Sequence, residues 1–293
     1  MPCTADDLVA TFDLQRLGPN HFSGSALKNG WRRIYGGQVL AQALIAAERT
    51  VEGRAAHSVH GYFILGGDPK ERIDFEVDRI RDGRSFATRR VVARQRGIAI
   101  FVMSASFHSP ENGFEYAMAA PDAPPVASLP TPVQIAATLG KAGDGIRAFA
   151  EHAAPIELIP TDLARYAPQA HGVMREPRQK LWIRIGGRLP DDPAIHRAAL
   201  LYLSDMTLLE TALATQGLSF SGQEIMGASL DHSFWLHRPC RADEWLLYAT
   251  DNPSSSAGRA LTRGMLYDSH GVLAASAAQE GVLRRRTKPR PDA

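Results

Sequence analysis

The sequence predicts an α+β fold made of two similar blocks, each a helix followed by antiparallel strands. In the first block, residues 36–50 are rich in alanine and leucine and predict a helix. Four strand-like runs follow this helix, at residues 57–65, 72–80, 85–94 and 98–108. Several of these runs alternate polar and apolar side chains, which is typical of half-buried antiparallel strands. Short turns that contain glycine, such as Asp82-Gly83, separate the runs and favour hairpins.

The same order of elements returns later in the chain. A second helix is predicted over residues 192–215, and four strand-like runs follow it, at residues 229–238, 244–252, 258–267 and 271–283. A proline-rich stretch separates the two blocks. We therefore expect an N-terminal domain over residues 1–115, a surface connection with one short helix over residues 116–178, and a C-terminal domain over residues 179–293.

Composition excludes several classes of protein. The chain has 293 residues, of which 44% are hydrophobic, and a net charge of +2, which argues against a nucleic-acid partner. The chain contains no apolar run long enough to predict a membrane span. Thr4 and Asp7 are spaced like a helix capping box, and the N-terminus lacks the features of a secretory leader, so we expect a cytoplasmic protein. The two cysteines, Cys3 and Cys240, rule out a disulfide framework.

Asp205 stands out because it lies on an apolar face of the second predicted helix. Its neighbours one helical turn away are large and mostly apolar: Leu201, Tyr202, Leu208 and Leu209. A buried carboxylate must be hydrogen-bonded, paired or protonated, because an unpaired buried charge costs several kcal/mol. Asp205 is therefore either a structural carboxylate or a general base in a dry pocket.

Other catalytic patterns are absent from the sequence. It contains no nucleophile elbow, dinucleotide-binding glycine motif or Walker loop. His57 and His60 have a spacing that places them on opposite faces of a strand, and the remaining histidines show no metal-ligand spacing, so no metal site is predicted.

Seven separated segments of the chain form a recognisable set. They are YGGQVLAQAL (35–44), HSVHGYF (57–63), RDGRSFATRRV (81–91), WIRIGGRLPDD (182–192), LDHSFWLHRP (230–239), EWLLY (244–248) and GVLAASAAQEGVLR (271–284). In sequence and in order, over nearly the whole chain, they resemble the acyl-CoA thioesterase II family. The resemblance implies a double hotdog, which consists of two tandem repeats of a long helix wrapped by an antiparallel sheet. It also implies hydrolysis of acyl-CoA to fatty acid and CoA, without a metal or other cofactor.

The resemblance also implies a set of site residues. The catalytic aspartate corresponds to Asp205, the hydroxyl residue before the Asp-His-Ser segment to Ser229, and the glutamine of the Gln-Glu-Gly segment to Gln279. Strand alternation groups Ser229 with Asp231 on a solvent face, whereas Gln279 shares a face with small residues and is expected to be buried. His57 opens a marked segment of the family and is either a substrate-binding residue or a buried structural histidine.

The sequence departs from the family pattern at two places. Ile64-Leu65-Gly66-Gly67-Asp68 stands where the family commonly has Leu-Arg-Pro-Gly-Asp, so any role of that arginine is in doubt. Ser229 stands where the family often has threonine, and it keeps the hydroxyl.

Two other functions stay open at this point. A hotdog enoyl-CoA hydratase would combine an aspartate with a histidine in one pocket, and no histidine neighbours Asp205 in the sequence. A non-catalytic acyl-CoA binding protein would bind without turnover. The resemblance further implies a homodimer or homotetramer.

Overall fold

The computed structural model describes residues 2–139, 144–162, 172–218 and 225–286. The helices are α1 (Ala5–Phe12), α2 (Gly36–Glu48), α3 (Pro132–Leu139), α4 (Asp144–Ala153), α5 (Pro193–Ser204) and α6 (Leu208–Leu213). The first six strands are β1 (Gln15–Gly18), β2 (His21–Gly24), β3 (Ala55–Phe63), β4 (Ile73–Asp82), β5 (Phe86–Gln95) and β6 (Ile98–His108). The other strands are β7 (Ile156–Pro160), β8 (Arg178–Ile185), β9 (Ile225–Ser229), β10 (Asp231–Leu236), β11 (Leu246–Ser256), β12 (Arg259–Tyr267) and β13 (Leu273–Arg285). Helices packed on antiparallel strands confirm the predicted α+β class.

The strands form one continuous antiparallel sheet with an internal repeat. Strands β3 and β10 pair at its centre, where Val59 lies opposite Phe234. Outward from this junction, one half runs β3-β6-β5-β4-β2-β1 and the other runs β10-β13-β12-β11-β8-β7, while β9 pairs additionally with β13. In each half, two strands precede the long helix. Four strands follow it in the first half and five in the second, where β9 is the additional strand. The predicted tandem repeat is confirmed, and each copy begins with a pair of strands.

The two long helices lie side by side inside this sheet. Every residue of α2 from Gly37 to Ala47 is buried, and so is every residue of α5 from Ala198 to Ser204. Helix α2 is mostly apolar on every side and is therefore enclosed, and its alanines leave room for close packing. Its two buried glutamines, Gln38 and Gln42, are hydrogen-bonded to backbone groups. The start of α2 contacts the residue after α5, through Gly37 and Asp205, whereas Glu48 at the end of α2 contacts Arg197 near the start of α5. The two helices therefore run antiparallel.

The stretch expected to be a surface connection contains more structure than the sequence predicted. It holds α3, at the position of the expected short helix, but also α4 and the strand β7. Strand β7 pairs with β8 at the edge of the sheet, so it belongs to the second repeat. Residues 163–171 of this connection, and residues 287–293 of the predicted C-terminal domain, lie outside the described residues.

The prediction of one unbroken second helix was wrong. Helix α5 ends at Ser204, with Asp205 as its C-cap, and α6 begins at Leu208. Thr207 between them has a φ of 69°, a left-handed conformation that no helix can continue through. Asp205 is therefore at a break in the helix, where its side chain can leave the helix surface. The capping box at the N-terminus is confirmed, because the Asp7 backbone N–H donates to Thr4 Oγ1 and the Thr4 N–H donates to Asp7 Oδ2.

Candidate active site

Asp205 is buried at the meeting point of the two helices. Its side chain is only 5% exposed. Oδ2 accepts a hydrogen bond of 2.8 Å from the backbone N–H of Gly37, in the first turn of α2. Helix α2 begins after Tyr35, whose side chain makes no capping hydrogen bond, so Asp205 serves as the anion at this helix N-terminus.

The structure brings Gln279 and Ser229 to the same carboxylate. Gln279 Nε2 on β13 donates to Asp205 Oδ1 at 2.5 Å, and Ser229 Oγ at the end of β9 donates to the same oxygen at 3.5 Å. Gln279 is 1% exposed, which confirms the burial expected from its small neighbours. The three residues assigned to the site by family resemblance therefore form one hydrogen-bonded cluster.

Ser229 reaches Asp205 because the strand predicted over residues 229–238 is interrupted. Ser229 pairs with Gly281 of β13, but Ser233 pairs with Ala278, so the register slips by one residue at Leu230. The expectation that Ser229 shares a solvent face with Asp231 was therefore wrong. The slip turns Ser229 inward, and it is partly buried.

A histidine also lies beside the carboxylate, contrary to the expectation from sequence neighbours. His232 Nδ1 is 3.9 Å from Asp205 Oδ1, and the His232 side chain is fully buried. Both ring nitrogens are engaged, because Nδ1 lies 3.1 Å from Gln279 Nε2 and Nε2 lies 2.9 Å from Ser204 Oγ. The imidazole does not line the cleft described below, so it is not placed as the substrate-facing acid of a hydratase.

Burial sets the electrostatics of this cluster. Desolvation raises the pKa of Asp205 above its ordinary value, and the hydrogen bonds from Gln279, Gly37 and Ser229 oppose that rise. Desolvation lowers the pKa of His232 to about 3, so the imidazole is neutral at physiological pH. Among the described residues, no arginine or lysine forms an ion pair with Asp205. The carboxylate is thus an ionisable base held by neutral donors.

A cleft of about 2250 Å³ opens beside the cluster and is lined by Asp205, Ser229 and Gln279. Apolar side chains line part of it: Val133, Ile135, Phe149, Leu209, Leu218 and Met226. Arginines line it as well, at positions 32, 33, 147, 175, 184 and 286. The cleft can therefore accommodate a molecule with an apolar chain and an anionic part.

Comparisons with known proteins show to which family the chain belongs. The family model described as acyl-CoA thioesterase matches residues 151–282, and the acyl-CoA thioesterase N-terminal domain model matches residues 27–108. The chain is 34% identical to acyl-coenzyme A thioesterase 8 of Homo sapiens, over 94% of this chain and 89% of that protein. The chain belongs to the acyl-CoA thioesterase family.

Solved structures extend this result to the fold. An acyl-CoA thioesterase II from Mycobacterium marinum has a TM-score of 0.78 at 37% identity, covering 97% of this chain and 99% of that chain. A hot dog fold protein from Alicyclobacillus acidocaldarius has a TM-score of 0.76 at 17% identity, covering 96% and 98%, and bears on the fold alone. This thioesterase therefore has the hotdog fold in two tandem copies.

The structure does not bring His57 to the cluster of this thioesterase. His57 Nε2 lies 2.9 Å from Ser106 Oγ, and its ring packs edge-on against Phe86 and His108. His57 does not line the cleft. The expectation that His57 and His60 point to opposite faces was also wrong, because the register shifts between Ala56 and Ser58. His60 lies opposite Ser104, which shares a face of β6 with Ser106, so both histidines face the same side of the sheet.

Sequence reasoning missed several groups that shape the candidate site. Gly37 contributes only a backbone N–H, and His232 is recruited by a register slip, so periodicity could indicate neither. The glycine pair at the start of α2 was a usable signal, because a Cβ at Gly36 would lie 2.7 Å from Asp205 Oδ2. Within the described ranges, no group of three or more metal-binding side chains is placed to hold a metal ion. No helix in those ranges is long and apolar enough to cross a membrane.

Proposed function

We propose that this acyl-CoA thioesterase hydrolyses its substrate by direct attack of a water molecule that Asp205 deprotonates. The observation that carries the proposal is the setting of Asp205. The carboxylate is almost fully buried, has a raised pKa, is held only by neutral donors and borders a large cleft. A buried base with a raised pKa accepts a proton more readily than an exposed carboxylate does.

In this mechanism, the water oxygen bonds to the thioester carbonyl carbon while a water proton moves to Asp205. The Ser229 hydroxyl and the Gln279 side chain hold the water and the carboxylate in line. The tetrahedral intermediate then expels CoA as its thiolate, the proton held by Asp205 passes to the thiolate and regenerates the base, and the fatty acid is released. We assign the oxyanion contact to the backbone N–H of Gly36, because this first residue of α2 borders the cleft and a helix N-terminus favours negative charge.

The cleft supports a division of the substrate into two parts. The apolar side chains around Phe149 and Leu218 would hold the acyl chain, and the arginines at its edge would face the phosphates of CoA. His57 is kept as a proposed substrate-binding residue only through the family resemblance, since its observed contacts favour a structural role.

The decisive experiment measures thiol release from butanoyl-, decanoyl- and hexadecanoyl-CoA by the wild type and by Asp205→Asn. We expect kcat of the variant to fall about 10²- to 10⁴-fold, with KM changed little, because asparagine keeps the shape and removes the base. In the wild type, kcat/KM should decrease in acid with a midpoint above the pKa of an ordinary carboxylate, because the base must be ionised and its pKa is raised.

The matched control is Glu48→Gln, which alters a buried carboxylate at the opposite end of the helix pair and should leave turnover unchanged. Turnover by Asp205→Asn within about tenfold of the wild type would return Asp205 to a structural role. Saturable binding of acyl-CoA by the wild type without thiol release would instead favour a non-catalytic binding protein.

We also propose a cytoplasmic location, a role in fatty acid metabolism, and assembly as a homodimer or homotetramer. The metabolic role and the assembly are supported by the family resemblance, whereas the location rests on the expectation from the sequence alone. Sedimentation of the purified protein tests the assembly directly.

A further inference from the structure

A chain of hydrogen bonds leads from the end of α5 to the candidate base. Ser204 Oγ donates to the carbonyl oxygen of Leu201 at 2.9 Å and lies 2.9 Å from His232 Nε2. His232 Nδ1 lies 3.1 Å from Gln279 Nε2, which also donates to Asp205 Oδ1. Ser204 and His232 are fully buried, and Gln279 is 1% exposed, so solvent does not compete for these bonds.

The acceptor fixes the direction of the first bond. The carbonyl oxygen of Leu201 carries no proton, so it can only accept, and the Ser204 hydroxyl must be the donor. The Ser204 hydroxyl has a single proton, so Ser204 Oγ is left to accept from His232 Nε2–H.

The tautomer of His232 then fixes the amide of Gln279. A neutral imidazole that carries its proton on Nε2 can only accept at Nδ1. The group facing Nδ1 must be a donor, which requires the amide nitrogen of Gln279 to point toward His232 and Asp205. The oxygen Oε1 then points away, and it is buried without a hydrogen-bond partner among the described residues, although Gln279 borders the cleft.

We infer that His232 is a positioning residue, which holds the Gln279 amide with its nitrogen on Asp205 and its oxygen free to accept a hydrogen bond from the attacking water. This inference rests on the proposed water attack and deepens it. The reverse orientation would place Gln279 Oε1 against the carboxylate, so it would remove a donor from Asp205 and add a repulsive contact.

The inference also predicts a change in the pH dependence of catalysis. The groups that face Asp205 are Gly37 N–H from α2, Ser229 from β9, Gln279 from β13, His232 from β10, and the buried tyrosines Tyr35 and Tyr248. Gln279 lowers the pKa of Asp205 through its hydrogen bond. When the amide is no longer held, the pKa of Asp205 rises further, and the acid limb of the kcat/KM profile moves to higher pH.

The test compares His232→Leu, which removes the acceptor, with His232→Asn, whose side-chain oxygen can replace Nδ1. With decanoyl-CoA we expect His232→Leu to lower kcat about tenfold to a hundredfold, to change KM less than about twofold and to shift the acid limb upward. We expect His232→Asn to recover most of kcat and to restore the acid limb. Equal losses in both variants, or an unchanged acid limb in His232→Leu, would overturn the inference.

A double-mutant cycle separates positioning from general damage to the fold. In a Gln279→Ala background, His232→Leu should have no further effect on kcat, because the group it positions is absent. An additive loss would overturn the inference. If His232→Leu does not fold, Ser204→Ala provides the same test, because it removes the partner of His232 Nε2. This variant should also lower kcat and move the acid limb to higher pH. The control His196→Leu removes another buried histidine, which accepts from the Ala242 N–H near the start of α5, and should leave kcat unchanged.

A measurement that needs no turnover distinguishes this inference from the proposed function. The ring ¹⁵N shifts of His232 should report a neutral Nε2–H tautomer from about pH 8 down to about pH 5, where an ordinary histidine becomes charged. A histidine that titrates in that range, or a proton on Nδ1, would overturn the positioning role even if Asp205 is the base. Full turnover by Asp205→Asn would remove the proposed base and leave this result unaffected.

Discussion

Each end of the antiparallel helix pair has a buried carboxylate beside the start of the neighbouring helix, but the two carboxylates have different partners. At one end, a carboxylate that follows α5 lies beside the start of α2, through Asp205 and Gly37. At the other end, the carboxylate of Glu48 at the end of α2 lies beside the start of α5, where Arg197 Nε donates to it at 2.6 Å. Helix α5 is capped by its own Asp192, whose Oδ1 accepts from the Ala194 N–H. Helix α2 makes no side-chain cap of its own.

This difference leaves the carboxylate of Asp205 available as a candidate base, whereas the carboxylate of Glu48 is neutralised by an arginine. Burial raises the pKa of both Asp205 and Glu48, but the cation of Arg197 opposes the rise only at Glu48. Glu48 and Arg197 do not line the cleft, whereas Asp205 does. Glu48 has a cationic partner and no access to the cleft, and the helix start beside it is already capped by Asp192. Glu48 is therefore a structural residue.

The largest effect that would sharpen this comparison is expected from Gly36→Ala. The added Cβ would lie 2.7 Å from Asp205 Oδ2 and 2.9 Å from the Phe63 ring, so the carboxylate must move. A displacement of about 1 Å at a catalytic group can cost about a hundredfold, which is the fall in kcat/KM that we expect. The free energy of unfolding should fall by about 1–3 kcal/mol from the overpacking, offset by up to about 1 kcal/mol because alanine is a better helix former than glycine.

The control for this variant is Gly113→Ala, where an added Cβ meets nothing within 4 Å. It should leave both turnover and stability unchanged. If Gly36→Ala also retained full activity, the position of the Asp205 carboxylate would not matter for turnover, and the contrast between the two helix ends would lose its functional meaning.

A stability effect is expected at the opposite end from Arg197→Leu. Removing one partner of a largely buried ion pair leaves the other charge uncompensated and costs about 3 kcal/mol of unfolding free energy. Turnover per folded molecule should not change, because neither residue borders the cleft. Urea unfolding and thiol release measured on the same samples check both expectations.

The pH dependence of this loss has a definite sign. The pKa of Glu48 is raised in the folded state, so its contribution favours folding at low pH and is lost as the pH rises through that pKa. Without Arg197 the pKa rises further. The stability deficit of Arg197→Leu should therefore be largest at neutral pH and shrink in mild acid. A deficit that grows in acid would mean that Glu48 is not the group left unpaired.

The sequence predicted most regular elements, because helix α2 and strands β3–β6 and β10–β13 have clear periodicity. It missed β7, whose neighbourhood is rich in proline and which itself ends at Pro160. An edge strand tolerates proline because one side of it makes no ladder hydrogen bonds. The break at Asp205 was also missed, because Thr207 adopts its left-handed conformation without a glycine or proline to signal it.

The candidate site was predicted only in part for a related reason. Asp205 was identified from its apolar neighbours, since a charge among them requires an explanation. Ser229 and His232 reach the site through the one-residue slip at Leu230, which depends on pairing with β13, a strand distant in sequence. Ser229 was therefore found through family resemblance alone, and His232 only in the structure.

The smallest expected effect concerns the two helix starts and comes from Asp192→Ala. Losing this N-cap should lower the free energy of unfolding by about 1 kcal/mol, measured in urea, and leave turnover unchanged. The carboxylate at the start of α2 should behave in the opposite way, because asparagine at Asp205 can still accept from the Gly37 N–H while it can no longer take a proton from water. The two substitutions together separate capping from catalysis. A loss of turnover in Asp192→Ala would show instead that the cap of α5 is needed to position the candidate site at the opposite end of the helix pair.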